Sequence, residues 1–319
     1  MAGERVAALT GASGFLGARL ARAMRAAGWR IRVLVRRPAD AEAMTIAGLE
    51  TVLGDLADLA ALKRLTEDVA VTINCAGLIK AAGREAFMAV NRDGAARLAQ
   101  VAPGRVILVS SLAARSPELS DYAASKRAGE ETSRAAAGER LAVVRPPVIY
   151  GPGDRETLAL FRLAARSPLA PIPAGGALAI AHADDVAAAI VDLAQRPNLN
   201  GVYAVGGARP AGYAWPEIMR AAWAAVGRTP RLTPVPAWAV SLAAGASEVA
   251  GFLTRTVPIF TRGKAREMLH LDWAVRPDEL APGAPEARFT LDEGFADTIA
   301  WYRAAGWLPG ATRLSVGTG

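Results

Sequence analysis

The stretch that most constrains this chain lies near its N-terminus. Thr10-Gly11-Ala12-Ser13-Gly14-Phe15-Leu16-Gly17 follows directly on the apolar run Val6-Ala7-Ala8-Leu9. Residues 6–9 read as a strand and residues 15–27 as a helix, so the glycines occupy the turn between them. Glycine lets a backbone turn sharply and come close to another group. The free N–H groups at the start of the helix then favour an anion. Strand, glycine turn and helix in this order specify a dinucleotide pyrophosphate site, with Thr10, Gly11, Ser13, Gly14, Phe15, Leu16 and Gly17 as candidate contacts. A tight turn without a ligand is the plainer alternative.

Strand-like and helix-like runs go on alternating. Residues 30–35, 69–74, 105–110 and 141–145 repeat the strand pattern with helical periodicity between them. Such alternation implies right-handed crossovers and a parallel sheet whose ligands sit at the carboxyl ends of its strands. A chain of 319 residues with 52% hydrophobic content has the material for a large core. After Tyr150 proline and glycine thicken, through Gly151-Pro152-Gly153 and residues 168–176. A helix over 184–195 and a strand over 202–205 then return to the sheet, and the remainder reads as helical with proline-rich joints. The expected fold is α/β: a Rossmann doubly wound parallel sheet with a smaller, mostly helical C-terminal substrate lobe. Residues 1–150 and 178–205 would form the cofactor domain, and residues 151–177 and 206–319 the substrate lobe.

The end of the second strand carries Arg36 and Arg37 and no acidic residue. An acidic side chain there would bind the ribose hydroxyl of NAD, whereas arginine accommodates a 2′-phosphate, so NADP(H) is favoured over NAD(H). Arg36 is the better candidate, because Pro38 restricts Arg37. Solvated arginines are the alternative. Asp55 and Leu56 follow the third strand, where they could meet the adenine. Asp55 could equally cap a helix. Asn74-Cys75-Ala76-Gly77 follows the fourth strand, and the small residues Cys75, Ala76 and Gly77 let a cofactor lie against the backbone.

Tyr122 and Lys126 are four apart and share a helix face. A free phenol has a pKa of about 10 and is a poor base at neutral pH, and a neighbouring cation is expected to lower it. Ser111 ends the fifth strand, where its hydroxyl can steady a carbonyl oxygen that gains charge as hydride arrives. Tyr122 would carry the proton.

At these residues the chain resembles the short-chain dehydrogenase/reductase superfamily, in its extended branch. The resemblance runs through Thr10–Gly17, Asp55-Leu56, 74–77, Val90-Asn91, Ser110-Ser111, Tyr122 to Lys126, 145–153 and His182-Ala183-Asp184-Asp185-Val186-Ala187. It implies Ser111, Tyr122 and Lys126 as the catalytic set, Lys126 also holding the nicotinamide ribose. It places Pro147 and Val148 at the nicotinamide pocket and gives Asn91 a supporting polar contact. It also allows a homodimer through paired helices, one of them bearing Tyr122. The interval between Ser111 and Tyr122 is shorter than in sugar-nucleotide members, and Leu112-Ala113-Ala114 replaces their Val-Tyr-Gly. The pattern is closer to the branch of hydroxysteroid dehydrogenases, bacterial lipid-type ketone reductases and the accessory subunit of respiratory complex I.

A net charge of +7 raises the question of an anionic partner. The cations are scattered arginines, with lysine only at 63, 80, 126 and 264, and neither a basic stripe nor an aromatic platform accompanies them, so nucleic acid is not expected. Cys75 is the single cysteine, which excludes an intrachain disulfide and suits a reducing compartment. His182 and His270 lack metal-ligand spacing, so both are read as structural or solvent-facing and no metal is expected. No signal-peptide pattern is read at the N-terminus, and the most apolar run, residues 238–253, is interrupted by Glu248. The expected location is cytoplasmic, with the membrane surface left open.

The substrate side is rich in aromatics: Trp215, Trp223, Trp238, Phe252, Phe260, Trp273, Trp301 and Trp307. An apolar helix over 238–244 is followed by Arg255, Arg262, Lys264 and Arg266, which suits a hydrophobic substrate and peripheral membrane contact. An ordinary helical core with solvated arginines is the alternative. The expectation is an NADP(H)-dependent oxidoreductase interconverting a ketone and a secondary alcohol on a lipid- or sterol-like molecule, such as an oxo-sphingolipid precursor. A nucleotide-sugar epimerase or dehydratase and a non-catalytic dinucleotide-binding assembly protein are the alternatives.

Overall fold

The computed structural model describes residues 5–174, 176–254, 256, 258 and 260–309, apart from the Phe252 side chain. Arg255 and that side chain therefore lie outside the described residues. The first half runs β1 (Val6–Thr10), α1 (Phe15–Ala26), β2 (Arg30–Val35), α2 (Pro38–Ile46), β3 (Glu50–Leu53), α3 (Leu59–Thr66) and β4 (Val71–Asn74). There follow α4 (Arg84–Met88), α5 (Ala95–Val101), β5 (Arg105–Val109), α6 (Asp121–Ala137), β6 (Leu141–Arg145) and β7 (Val148–Tyr150). The second half contains α7 (Leu158–Arg166), β8 (Leu169–Pro173), β9 (Ala177–Leu178), β10 (Ile180–His182), α8 (Ala183–Gln195), β11 (Val202–Ala204) and β12 (Tyr213–Ala214). It ends with α9 (Trp215–Ala225), β13 (Arg231–Val235), α10 (Ala237–Thr254), α11 (Arg262–Leu269), β14 (Asp272–Trp273) and α12 (Leu291–Ala304).

Seven strands form one sheet in the order β11-β6-β5-β4-β1-β2-β3. Every neighbouring pair is parallel. The order reverses between β1 and β4, and in such sheets the crevice at that switch point takes the ligand. Thr10 and Asn74 end these two strands in register, and the Thr10 hydroxyl donates to Asn74 Oδ1 at 2.7 Å. Val33, Ile73 and Ile107 are fully buried between α1 (Leu20, Met24) and α8 (Val186, Ile190). Each such side chain contributes roughly 1.5–3 kcal/mol on burial.

A second core gathers Tyr150, Phe161, Trp223, Phe295 and Tyr302. Its rings meet edge to face, Tyr150 on Phe295 at 4.9 Å and Phe295 on Phe161 at 5.0 Å. This side is less purely helical than its composition implies. β8 pairs in parallel with β13, β9 pairs with both β12 and β14, and β7 pairs with β10. Pro171, Pro173 and Pro234 explain the first pair, since proline resists helix and is tolerated in short edge strands. Between α4 and α5 the helix widens into a π turn over Ala89–Gly94, which buries Asn91. Such turns often mark functional sites.

Candidate active site

The glycine turn is held by its own backbone, Gly14 N donating to Gly11 O at 2.9 Å. Gly11 has a φ of +75°, and a Cβ on it would stand 2.8 Å from Ala76 N. A Cβ on Gly17 would stand 2.0 Å from Gly11 O, so α1 packs straight onto the turn that precedes it. Gly14 begins α1 without a side-chain cap, and the first turn carries no acidic residue. Ser13, Gly14, Phe15 and Leu16 line a cleft, which leaves the first N–H groups of α1 facing open space. An uncapped helix start free of negative charge fits a dinucleotide pyrophosphate. Thr10 and Ala76 lie beneath the turn, Ala76 N donating to Thr10 Oγ1 at 3.1 Å.

Beyond β2 both expected arginines are exposed. Arg37 is committed to Asp40, with hydrogen bonds of 2.9 and 2.8 Å. That contact raises the Arg37 pKa. Arg36 makes no hydrogen bond or ion pair among the described residues, which leaves it the freer of the two. Asp55 Oδ1 accepts from Ala57 N at 2.7 Å and from Asp58 N at 3.2 Å, shaping a turn. The cap of α3 is Asp58, whose Oδ1 accepts from Ala61 N at 3.0 Å. Leu56 packs on Gly94, where a Cβ would come within 2.9 Å of it. Arg36, Arg37, Asp55 and Leu56 are not part of the cleft wall that carries Gly11, Ser13 to Gly17, Cys75 and Gly77.

Ser111, Tyr122 and Lys126 come together on that wall, with Cys75, Gly77, Pro147 and Val148. Ser111 leaves β5 and caps a short 3-10 turn, its Oγ accepting from Ala113 N at 3.2 Å. The same hydroxyl lies beside Tyr122 and favours the ionised form of its phenol. Ser120 caps α6, accepting from Ala123 N at 3.0 Å, and so places Tyr122 in the first turn. Burial pushes the Tyr122 phenol up to about 12; the Ser111 hydroxyl pulls it down and the Glu267 charge adds to the rise. Lys126 lies one turn further on and donates to Val109 O at 2.8 Å. Burial lowers it to about 8, against the opposing pull of Cys75 and Glu130. The expected lowering of the phenol by Lys126 is therefore not met, because the ammonium is turned to the end of β5 and desolvation governs the phenol. Burial also pushes the Cys75 thiol up to about 12. Gly77 is held to its size, since a Cβ there would lie 3.1 Å from Asn91 Oδ1 and 3.3 Å from Lys126 Nζ. Asn91 accepts from Leu78 N at 2.8 Å and donates to Leu78 O and Ser125 Oγ at 2.9 Å each, tying the loop after β4 to α6.

Three supporting residues escape a reading of motifs. Glu130 continues the Tyr122–Lys126 face and is buried. It accepts from Ser110 Oγ at 2.5 Å and from Arg145 at 2.9 and 2.6 Å. Its spacing of four from Lys126 is a signal that helical periodicity carries. Arg19 reaches from α1 to Asp184 of α8 at 3.2 Å and to the carbonyl of Pro152. Glu267 of α11 accepts from Ser120 Oγ, 147 residues away, and no local pattern reveals that contact. His182 is buried, Nδ1 accepting from Asp184 N at 3.3 Å and Nε2 facing Asp297 at 3.3 Å. Burial lowers its pKa. His270 meets Trp273 at a tilt of 54°, with ring centroids 4.6 Å apart.

The cleft has a volume of about 2330 Å³ and runs from the glycine turn past Tyr122 to Trp215, Trp307 and the α10–α11 pair. Sites for drug-sized ligands occupy about 300–1,000 Å³, so there is room for a dinucleotide and a long second molecule.

Fold and site together define a nucleotide-dependent oxidoreductase scaffold, with a switch-point dinucleotide cradle and a Ser–Tyr–Lys cluster beside it. Residues 7–206 match the NAD dependent epimerase/dehydratase family, and the chain belongs to it. It is an NAD(P)-dependent enzyme of the extended short-chain dehydrogenase/reductase type. It is 49% identical over 308 residues to a ceramide reductase of Caulobacter vibrioides (strain NA1000 / CB15N), which covers 95% of this chain and 96% of the relative. The fold is similar to the crystal structure of gox2253, with a TM-score of 0.74 and 23% identity over 95% of this chain and 99% of that one. It is also similar to the dTDP-glucose 4,6-dehydratase DesIV double mutant of Streptomyces venezuelae, solved with NAD and DAU bound. There the TM-score is 0.69, with 22% identity over 95% of this chain and 98% of that one.

Proposed function

We propose that the protein is an NADPH-dependent reductase that converts a ketone on a ceramide-type lipid, or its oxo-sphingolipid precursor, into a secondary alcohol. The observation that carries this reading is the convergence of Ser111, Tyr122 and Lys126 on the wall of a cleft far larger than a cofactor needs. The name of the relative at 49% identity supports the lipid class. NADPH, when bound, supplies the hydride. Tyr122 gives its proton to the ketone oxygen, and Ser111 donates a hydrogen bond to that oxygen as charge builds. A phenol held near 12 carries its proton at neutral pH and so has one to give in the reductive direction. Lys126 holds the nicotinamide ribose, Pro147 and Val148 bound the nicotinamide pocket, and Asn91 supports the loop above it. Arg36, with Arg37 behind it, takes the 2′-phosphate, while Asp55 and Leu56 meet the adenine. Residues 1–150 and 178–205 serve the cofactor, and residues 151–177 and 206–319 serve the lipid.

Purified protein with NADPH and a long-chain keto-amide should show turnover, and NADH should be the poorer donor. Tyr122→Phe should lower kcat by about 10²–10⁴-fold while leaving the cofactor Kd unchanged. Tightly held NAD that co-purifies and recycles on a nucleotide sugar would overturn the reading in favour of an epimerase or dehydratase. Undiminished turnover in Tyr122→Phe would remove the proton-transfer role.

A further inference from the structure

Among the described residues, helix α10 presents an apolar face that is left largely exposed. Trp238, Leu242, Val249 and Leu253 are 58–74% exposed. Their spacing of four, seven and four puts them on one side of the helix. Val240, Ala244 and Gly251 are buried with the same spacing, two residues out of step, and so mark the opposite side. Val240 and Ala244 pack on Ala265 of α11. The helix carries a single charged residue in eighteen, Glu248, and that carboxylate turns to α11, accepting from Arg262 N at 2.7 Å and pairing with its guanidinium at 3.4 Å. A solvated helix face normally carries charge, and large exposed apolar patches mark contact sites.

The charge around this helix selects the occupant. Residues 228–270 contain six Arg or Lys against two Glu, more than half of the chain's net +7. Glu248 pairs with Arg262, and Glu267 with Lys264 at 3.3 Å, so the excess of four positive charges rests on Arg266 and the other arginines of this segment. Arg262, Lys264 and Arg266 are exposed on α11. An apolar face flanked by a cationic excess complements an anionic bilayer, where the rings and aliphatic groups enter the interface and the cations meet headgroups. No described helix is long and apolar enough to cross a membrane, so contact would be along the surface. The last turns of the same helix, through Glu248, Gly251 and Leu253, line the cleft that passes Tyr122.

We infer that α10, with the cations of α11, docks the protein on an anionic phospholipid surface and opens the cleft toward the bilayer, so that a lipid substrate passes to Tyr122 without crossing water. The passage of substrate rests on the lipid-reductase reading; the docking does not. The test is therefore co-sedimentation with phosphatidylglycerol-containing vesicles, without substrate or cofactor. The wild type should partition onto these vesicles at least about tenfold more strongly than onto phosphatidylcholine alone, and added salt should weaken binding. Trp238→Ser, Leu242→Ser and Val249→Ser combined should lower partitioning by at least about tenfold, each lost side chain removing apolar contact. Its thermal midpoint and NADPH affinity should remain those of the wild type, which excludes misfolding. Equal binding of the triple variant would overturn the docking, as would no wild-type binding to anionic vesicles. A dimer in sedimentation velocity that the triple variant abolishes would overturn it too, giving the face to a second copy of the chain. Vesicle binding without turnover of any ketolipid would retain the docking and remove the substrate reading.

Discussion

The two walls of the cleft use the same contacts with opposite stringency. Beneath Tyr122 and Lys126, Glu130 and Arg145 form a bidentate pair whose side chains are only 7% and 13% exposed. Across the cleft, Glu248 and Arg262 form a pair whose side chains are 35% and 69% exposed. Gly17 in α1 sits where a Cβ would strike a carbonyl, whereas Gly245 in α10 faces only the tip of Arg262. The wall proposed to position protons and cofactor is locked by desolvated charge and backbone contact. The wall proposed to meet the second molecule is held by contacts that water and salt can loosen. Chemistry that must be placed within a fraction of an ångström needs the first kind of support, and admission of a bulky apolar guest needs the second.

The sharpest way to break this contrast is to remove one carboxylate on each side. Glu130→Ala would leave Arg145 buried without its partner and Ser110 without its acceptor. A loss of about 3–5 kcal/mol is expected, read by denaturant unfolding. Glu248→Ala should change stability by no more than about 1 kcal/mol, because water already screens that pair. Equal losses would show that the α10–α11 pair is as firmly built as the sheet side.

Gly17→Ala should come next. Its Cβ would fall 2.0 Å from Gly11 O, with backbone on both sides, so the turn or α1 must shift. A loss of about 1–3 kcal/mol is expected, with cofactor affinity falling more than stability, because the displaced atoms are the cradle itself. Isothermal titration with NADPH beside a thermal melt separates the two effects; unchanged affinity would mean that the cradle is not where the cofactor binds.

A pH profile probes the locked wall without mutation. The plot of kcat/KM for the cofactor reports groups of the free enzyme. Lys126 is held near 8, so its ammonium is present below that value and lost above it. Tyr122, held near 12, keeps its proton throughout the accessible range. Reductive kcat/KM should therefore be flat up to about pH 8 and then fall by up to tenfold per unit with a single limb. A flat profile to pH 10 would place Lys126 outside the functional set.

What was legible in the sequence follows the same division. The glycine turn and the Tyr122–Lys126 face are local: strand end, turn and a spacing of four fix them with little help from the rest of the chain. The parallel sheet was readable for the same reason, since alternating strands and helices imply right-handed crossovers; its strand order was not read from the sequence. The Lys126 orientation was not readable, because it depends on where the end of β5 presents the Val109 carbonyl. Nor was the contact between Glu267 and Ser120, which joins α11 to the cap of α6 across 147 residues with no periodic signal. The β8–β13 pair escaped a helical reading because proline strands of five residues carry no hydrophobic alternation.

The smallest effect tests the contrast from its loose side. Gly245 lies within α10, and a Cβ on it would meet nothing closer than the Arg262 guanidinium at 3.4 Å, the end of a flexible and largely exposed side chain. Glycine in a helix interior is less favourable than alanine by roughly 0.5–1 kcal/mol, chiefly because the unfolded chain has more freedom to lose. Gly245→Ala should therefore raise stability by a part of that amount, the opposite sign to Gly17→Ala. The two variants make the same chemical change, one methyl group on a helical glycine, so a differential melt measures how closely each helix is packed. Should Gly245→Ala destabilise, α10 must be seated against atoms that leave no room for a methyl group, and the two walls would differ in charge alone.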